Sequence, residues 1–427
     1  MNRLRQYLPL LTLCLSLAGC GDGDDDTSAQ PGGAIDGGIS TPTGNAGIDA
    51  GTGATSGSAP SLFIVHSAVQ GTDGNRLNYF SAVTDLAKPE KIDYGKSIEL
   101  SGRPRLYAAP KLGFFAIADA ETLSITRYEV GADGSFRPGA KLSLQQHGVS
   151  ALEPQGVHFV SATKAYYKDS KQAQVLVFNP STMTIDRAIP LPRELLIPDH
   201  NVSVSRWVAR DGEAYFAVGA TIKDYSRTLP GTTLVRIDTA TDALTLTRET
   251  RCRGLSYVAN VADTLYFFSD VMNGFGHAVY PNEGGQPDCT LRILPGQQVF
   301  DPSYVGSMQA ALGGQIGTIV AATESGEAWA QVIDPAVMPK TPGTTYNQWY
   351  DKGWRWVHLT LPALSNPTEA GLAAGAYTAQ TVTVGSSFYV SQASVDYGVT
   401  ALVELGASGP KPGVSFNGFP LDVARVR

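Results

Sequence analysis

The chain has 427 residues, with 32 Lys and Arg against 39 Asp and Glu, a net charge of −7 and only 17% charged residues. A chain this long buries a full core without metals or many disulfides, and its acidic total argues against non-specific nucleic-acid binding. The low charge fraction, with 46 Gly and 26 Pro, argues equally against helical bundles and coiled coils.

Arg3 and Arg5 form a positive leader, and residues 7–17 an apolar stretch too short to span a bilayer. Leu17-Ala18-Gly19-Cys20 follows. A branched aliphatic residue, two small residues and Cys is the lipobox pattern of bacterial lipoproteins. It predicts cleavage before Cys20 and acylation of that residue, so the expected membrane contact is the N-terminal lipid. Several acyl chains on one residue anchor stably where a single chain does not. Gly21, where an Asp would favour inner-membrane retention, points to the outer membrane. The alternative is an ordinary signal peptide with an incidental Cys. Cleavage removes two Arg and leaves 30 basic against 39 acidic residues, a mature charge of −9.

Residues 21–60 are rich in Gly, Ser, Thr, Ala and Asp and have almost no large apolar side chain. Such a segment cannot repay the entropy of ordering, so it reads as a tether. Asp22, Asp24 and Asp26 imitate the start of a calcium loop, but Thr27 and Gly33 stand where its Gly and Glu belong.

From residue 61 short β-branched and aromatic runs alternate with Gly, Asp, Asn and Pro turns, which predicts an all-β domain. A four-strand unit recurs. The copies are 105–109, 113–118, 124–130 and 141–144; then 156–162, 165–168, 174–179 and 184–191; then 203–209, 213–219, 233–238 and 243–248. A fourth copy is read at 256–261, 264–269, 277–280 and 290–294, and a fifth at 308–312, 317–323, 328–334 and 356–361. The sixth is 377–384, 387–392, 400–404 and 414–416. Residues 420–426 resemble a first strand, and 61–67, 77–83 and 91–100 the remaining three, so the two ends make a seventh unit. This predicts a seven-bladed β-propeller over 61–427, with the C-terminal strand closing the first blade and removing the open edges. A six- or eight-bladed ring and a pair of sandwiches are the alternatives.

With Cys14 in the leader and Cys20 lipidated, Cys252 and Cys289 remain, and an exported protein usually pairs such a couple. Two buried thiols are the alternative. The six His (66, 147, 158, 200, 277 and 358) show no metal-ligand spacing, and no hydrolase elbow, phosphate loop or dinucleotide fingerprint is present. No metal, cofactor or catalytic residue is therefore assigned. Asp119, Asp169 and Asp270 recur after second strands, where capping a turn is the simpler role. The most unusual stretch is 344–358, which holds three of the five Trp. Long loops on rigid scaffolds carry function disproportionately. Tyr346, Trp349, Tyr350, Lys352, Trp354 and Arg355 are the expected ligand or partner contacts, with packing of the Trp side chains as the competing role.

Residues 118–143, Tyr94-Gly95-Lys96, Thr163-Lys164-Ala165-Tyr166-Tyr167, Phe178-Asn179-Pro180, Cys252-Arg253-Gly254-Leu255 with Leu265-Tyr266-Phe267, and Cys289 before Leu291-Arg292-Ile293 carry a resemblance. Together with the lipobox, they make the chain similar to the MxcI-like lipoproteins of myxobacteria. The resemblance implies an accessory role in siderophore-iron uptake at the cell envelope, beside a TonB-dependent receptor. It transfers no catalytic residue. The expected function is thus a monomeric, lipid-anchored propeller that binds a ligand or an envelope partner. The alternatives are a propeller enzyme, of lactonase or quinone-dependent dehydrogenase type, and a structural surface protein.

Overall fold

The computed structural model describes residues 61–71, 75–131, 133–223, 227–281, 288–338, 341, 346–349, 353–378, 380–384, 387–406 and 409–427. The leader, Cys20 and the tether lie outside the described residues. Blade 1 holds β1 (Phe63–Gln70), β2 (Arg76–Val83) and β3 (Ile98–Leu100). Blade 2 is β4 (Arg105–Ala109), β5 (Phe114–Asp119), β6 (Ser124–Val130) and β7 (Phe136–Ser143). Blade 3 is β8 (Val157–Ser161), β9 (Lys164–Asp169), β10 (Gln174–Asn179) and β11 (Thr184–Pro190). Blade 4 is β12 (His200–Val204), β13 (Val208–Arg210), β14 (Glu213–Ile222), β15 (Thr232–Asp238) and β16 (Leu244–Glu249). Blade 5 is β17 (Leu255–Val261), β18 (Thr264–Ser269) and β19 (Thr290–Ile293), with helix α1 (Val271–Val279) between the last two. A short helix α2 (Met308–Ala311) leads to blade 6: β20 (Ile316–Ala322), β21 (Glu327–Ile333), β22 (Arg355–Thr360) and β23 (Ser365–Glu369). Blade 7 is β24 (Thr381–Val384), β25 (Ser387–Ala393), β26 (Val399–Leu405) and β27 (Lys411–Asn417), and β28 (Phe419–Arg425) returns to blade 1. Seven antiparallel sheets in a ring make a seven-bladed β-propeller.

The ring closes as the split terminal repeat predicts. β28 pairs antiparallel with β1 from Phe63↔Arg425 to Ala68↔Phe419, with one irregularity after His66. Leu62 N–H donates to the Arg427 carbonyl at 3.0 Å and Val426 N–H to that of Leu62 at 2.7 Å. Buried apolar layers lie between neighbouring blades. Tyr107 and Ala116 of blade 2 share one with Tyr167 and Leu176 of blade 3, and Val175 and Val177 of blade 3 share another with Phe216 and Val235 of blade 4. Each sheet is thus covered on both faces. That is why second strands such as β5 are near-continuous apolar runs rather than alternating ones.

Two repeats differ from the sequence reading. Residues 277–280, expected as a strand, lie in α1 and its C-cap, and 290–293 form the third strand of a three-stranded blade. Residues 308–311 are helical, so 317–323 belongs to the first strand of blade 6, and 365–369 supplies its fourth. The physical reason is capping. Asp270 accepts Met272 N–H at 2.9 Å, and Val271, Phe275 and Val279 bury one face at four-residue spacing. Ser307 Oγ accepts Ala310 N–H at 3.2 Å at the start of α2.

Candidate functional site

In an antiparallel blade the connections from second to third strand, and from one blade's last strand to the next blade's first, emerge on the same face. On that face blades 3, 4 and 5 surround a cavity of about 230 Å3. Its walls come from 151–154 and 170–171 of blade 3, from 201–204, Thr221 and Thr228 of blade 4, and from Gly254, Ser256, Tyr257 and 270–272 of blade 5. Tyr377, ahead of blade 7, reaches it across the ring.

A break in the inner strand of blade 4 builds the base of this region. β12 and β13 both pair with β14, and Ser205, Arg206 and Trp207 separate them. Ser205 Oγ stands in for a strand partner by accepting Ala217 N–H at 2.8 Å. The freed groups tie the blades together. Arg206 N–H donates to the Ser256 carbonyl of blade 5 at 2.9 Å, and Trp207 Nε1–H to the Gly156 carbonyl of blade 3 at 3.0 Å. Lys168 Nζ, fully buried in blade 3, donates to the Ser205 carbonyl. The Arg206 guanidinium lies 4.6 Å over the Tyr257 ring, and its Nη2 is buried without a hydrogen-bond partner. Tyr257 and Tyr377 join hydroxyls at 3.0 Å, linking blade 5 to the segment before blade 7.

Glu153 is the buried acid of the cavity wall. Its Oε1 accepts Ser170 N–H at 3.0 Å and the Ser170 hydroxyl. Burial is the leading influence and raises its pKa above the usual carboxyl value, against the Ser170 bonds and the Lys168 charge, which lower it. Its backbone is gripped from two blades: Tyr107 Oη–H donates to its carbonyl at 2.9 Å, and its N–H donates to Tyr167 Oη at 3.0 Å. Asp270, the second acid, caps α1, and Lys171 is an exposed cation on the wall. Gly254 has φ +55°, and a Cβ there would come 2.7 Å from Asn273 Oδ1 and 3.0 Å from Thr228 Cγ2. Only glycine lets α1 and the Thr228 segment approach this closely.

Two of the expected contacts, Trp349 and Trp354, take the competing packing role. Trp349 and Trp354 are 2% and 1% exposed and belong to the core beside α1 and blades 6 and 7. Trp349 meets Phe275 edge-on at 4.5 Å, and Trp354 meets Tyr377 at 4.8 Å while its Nε1–H donates to the Trp349 carbonyl at 2.8 Å. Their rings serve packing and present no open binding surface. Arg355 pairs with Glu369 on the neighbouring strand. Tyr346 opens a short 3-10 turn (Tyr346–Trp349), and Tyr350 and Lys352 lie outside the described residues.

Cys252 and Cys289 are bonded, with Cα atoms 5.8 Å apart. The bond closes the segment that contains α1 and the blade 5 wall of the cavity. Asp119 and Asp169 accept turn N–H groups from Glu121 and Gln172, as Asp270 does from Met272, so the recurrent carboxylates cap. Among the described residues, no three His, Cys, Asp or Glu side chains are grouped to hold a metal ion. The cavity itself was not legible in the sequence, because its walls come from strand ends and loops far apart in the chain. The one local sign was Gly254 following the paired Cys252.

No family model and no curated protein matches the chain. Solved structures do. A 6-phosphogluconolactonase-like protein of Bacteroides fragilis is 11% identical, with a TM-score of 0.50 over 88% of this chain and 100% of its own. A Lactobacillus plantarum protein is 9% identical, with a TM-score of 0.50 over 86% and 99%. A hypothetical selenium-binding protein of Sulfolobus tokodaii is 9% identical, with a TM-score of 0.50 over 86% and 93%. At these identities the likeness shows the fold alone.

Proposed function

We propose that the protein is an envelope-anchored binding protein that captures a small polar molecule in the cavity between blades 3, 4 and 5. The observation that carries this reading is the cavity of about 230 Å3 with a buried carboxyl, Glu153, in its wall. A rigid ring with a concave, polar site built by strand ends and loops from three blades suits capture. The lipobox at Cys20 and the tether support attachment to the outer membrane. The resemblance to MxcI-like lipoproteins supports an accessory place in siderophore-iron acquisition, beside a TonB-dependent receptor.

A lactonase acting on a phosphorylated sugar, the activity named for the Bacteroides fragilis protein, suits this wall less well. Among the described lining residues Glu153 and Asp270 stand against Lys171 as the one formal cation.

The test uses the mature protein and a Ser256→Trp variant that fills the cavity. Each is warmed with the small-molecule fraction of an envelope extract, with and without ferric siderophore. A rise in Tm for the wild type and none for the variant supports capture at this site. Equal shifts in both, or none in either, refute it. Deletion of the gene with no loss of growth under iron limitation refutes the siderophore role alone.

A further inference from the structure

The cavity wall carries an excess of hydrogen-bonding groups that the fold does not use. Ser203, Thr221, Thr228 and Ser256 all line it, and none of their hydroxyls makes a hydrogen bond to the protein among the described residues. Thr221 and Thr228 are 7% and 5% exposed. Ser203 and Ser256 are half-buried, and none of the four hydroxyls is among the buried polar atoms sealed off without a partner, so blades 4 and 5 leave them open to the space they line. Glu153 repeats the pattern: both of its side-chain hydrogen bonds fall on Oε1, so Oε2 is the oxygen available to the cavity.

Charge narrows the class. Among the described lining residues an anion would meet Asp270 and Glu153 with Lys171 as the one cation, and no three-ligand cluster for a bare metal ion is present among the described residues. Hydroxyls that both donate and accept are instead complementary to other hydroxyls. The volume of about 230 Å3 lies below the roughly 300–1,000 Å3 of sites for drug-sized ligands, which suits one ring rather than a chain of them.

From this geometry we infer that the cavity takes a neutral, single-ring polyol of monosaccharide type, whose hydroxyl groups pair with Ser203, Thr221, Thr228, Ser256 and the free oxygen of Glu153. The inference rests on the capture reading and names its ligand class. No bond is made or broken in the bound molecule.

Calorimetric titration of the mature protein at neutral pH tests it, with D-glucose, D-galactose and myo-inositol as neutral probes and D-gluconate and glucose 6-phosphate as anionic ones. Binding of a neutral ring is expected, at least tenfold tighter than either anion. The near-isosteric pair Thr221→Val/Thr228→Val removes two hydroxyls and should weaken that binding by roughly tenfold or more at unchanged Tm. Thr228→Ser keeps the hydroxyl and should stay within about threefold of the wild type. Ser203→Ala/Ser256→Ala provides a second reading if the valine pair fails to fold. No heat from any neutral ring at tens of millimolar, tighter binding of an anion, or affinity indifferent to these hydroxyls overturns the inference. If the Ser256→Trp-sensitive shift with envelope extract persists in that case, the cavity still captures a ligand and only the polyol class falls.

Discussion

Removing the bond between Cys252 and Cys289 is the sharpest energetic test of how the site is held. The two cysteines are 37 positions apart, so the bond closes a loop of 38 residues. In the chain-entropy model, a loop of this size restricts the unfolded chain by about 4 kcal/mol at 25 °C. Both cysteines are almost fully buried, at 2% and 1% exposed. The loop holds Gly254, Ser256, Tyr257, Asp270 and the whole of α1. A Cys252→Ala/Cys289→Ala variant should therefore lose about 4 kcal/mol in equilibrium unfolding by guanidinium, read by Trp fluorescence. Wild-type protein unfolded in reductant should lose a similar amount, which separates the bond from the packing of the sulfur atoms. Because the effect lies mainly in the unfolded chain, the native double variant should retain ligand-induced stabilisation. A loss below about 1 kcal/mol would refute the reasoning, since it would mean that the unfolded chain is not freed by cutting the loop.

Four further outcomes follow from packing and charge. Trp354→Ala should cost about 3–5 kcal/mol in denaturant unfolding, as expected for a buried indole that leaves a cavity and orphans the Trp349 carbonyl. An unchanged midpoint would restore a surface role for this Trp. Truncation of 419–427 strips β28 from β1 and exposes its edge, so gel filtration should show aggregated protein rather than a monomer peak. Gly254→Ala forces a side chain into the left-handed region against Asn273 and Thr228, and should cost about 1–3 kcal/mol in urea. Glu153 has a raised folded pKa, so its contribution to stability is fully present below about 4.5, its unfolded value, and is lost as pH rises through the folded value. The stability difference between wild type and Glu153→Gln, measured by urea unfolding from pH 4 to 8, should thus move against the wild type as pH rises. A flat difference would contradict the burial of this carboxyl.

Much of the ring could be read from residue order alone, because each blade is a local object. Strand, turn and strand follow one another within about fifty residues, and β-branched runs between Gly and Asp turns mark them. The split repeat was legible for the same reason: 420–426 has the pattern of a first strand that 61–67 lacks before it. Blade 5 escaped because Val271, Phe275 and Val279 needed to be read together with Asp270 as a cap, whereas a count of four strands per unit favoured a strand at 277–280. The aromatic segment was conspicuous in composition, but composition does not say which way a ring points. Trp349 and Trp354 point inward because α1 and the segment before blade 7 offer Phe275 and Tyr377 as partners.

The sequence alone therefore determined the all-β class, the seven repeats, the terminal closure and the pairing expected of the two cysteines, all of which rest on local pattern or on simple counting. Tertiary structure decided the site. The hydroxyls of Ser203, Thr221, Thr228 and Ser256 and the carboxyl of Glu153 are unremarkable in the chain, since each is a common residue at a strand end or in a turn. They come together only when three blades close around one space, which places four hydroxyls without hydrogen-bond partners among the described residues beside a carboxyl held by Ser170.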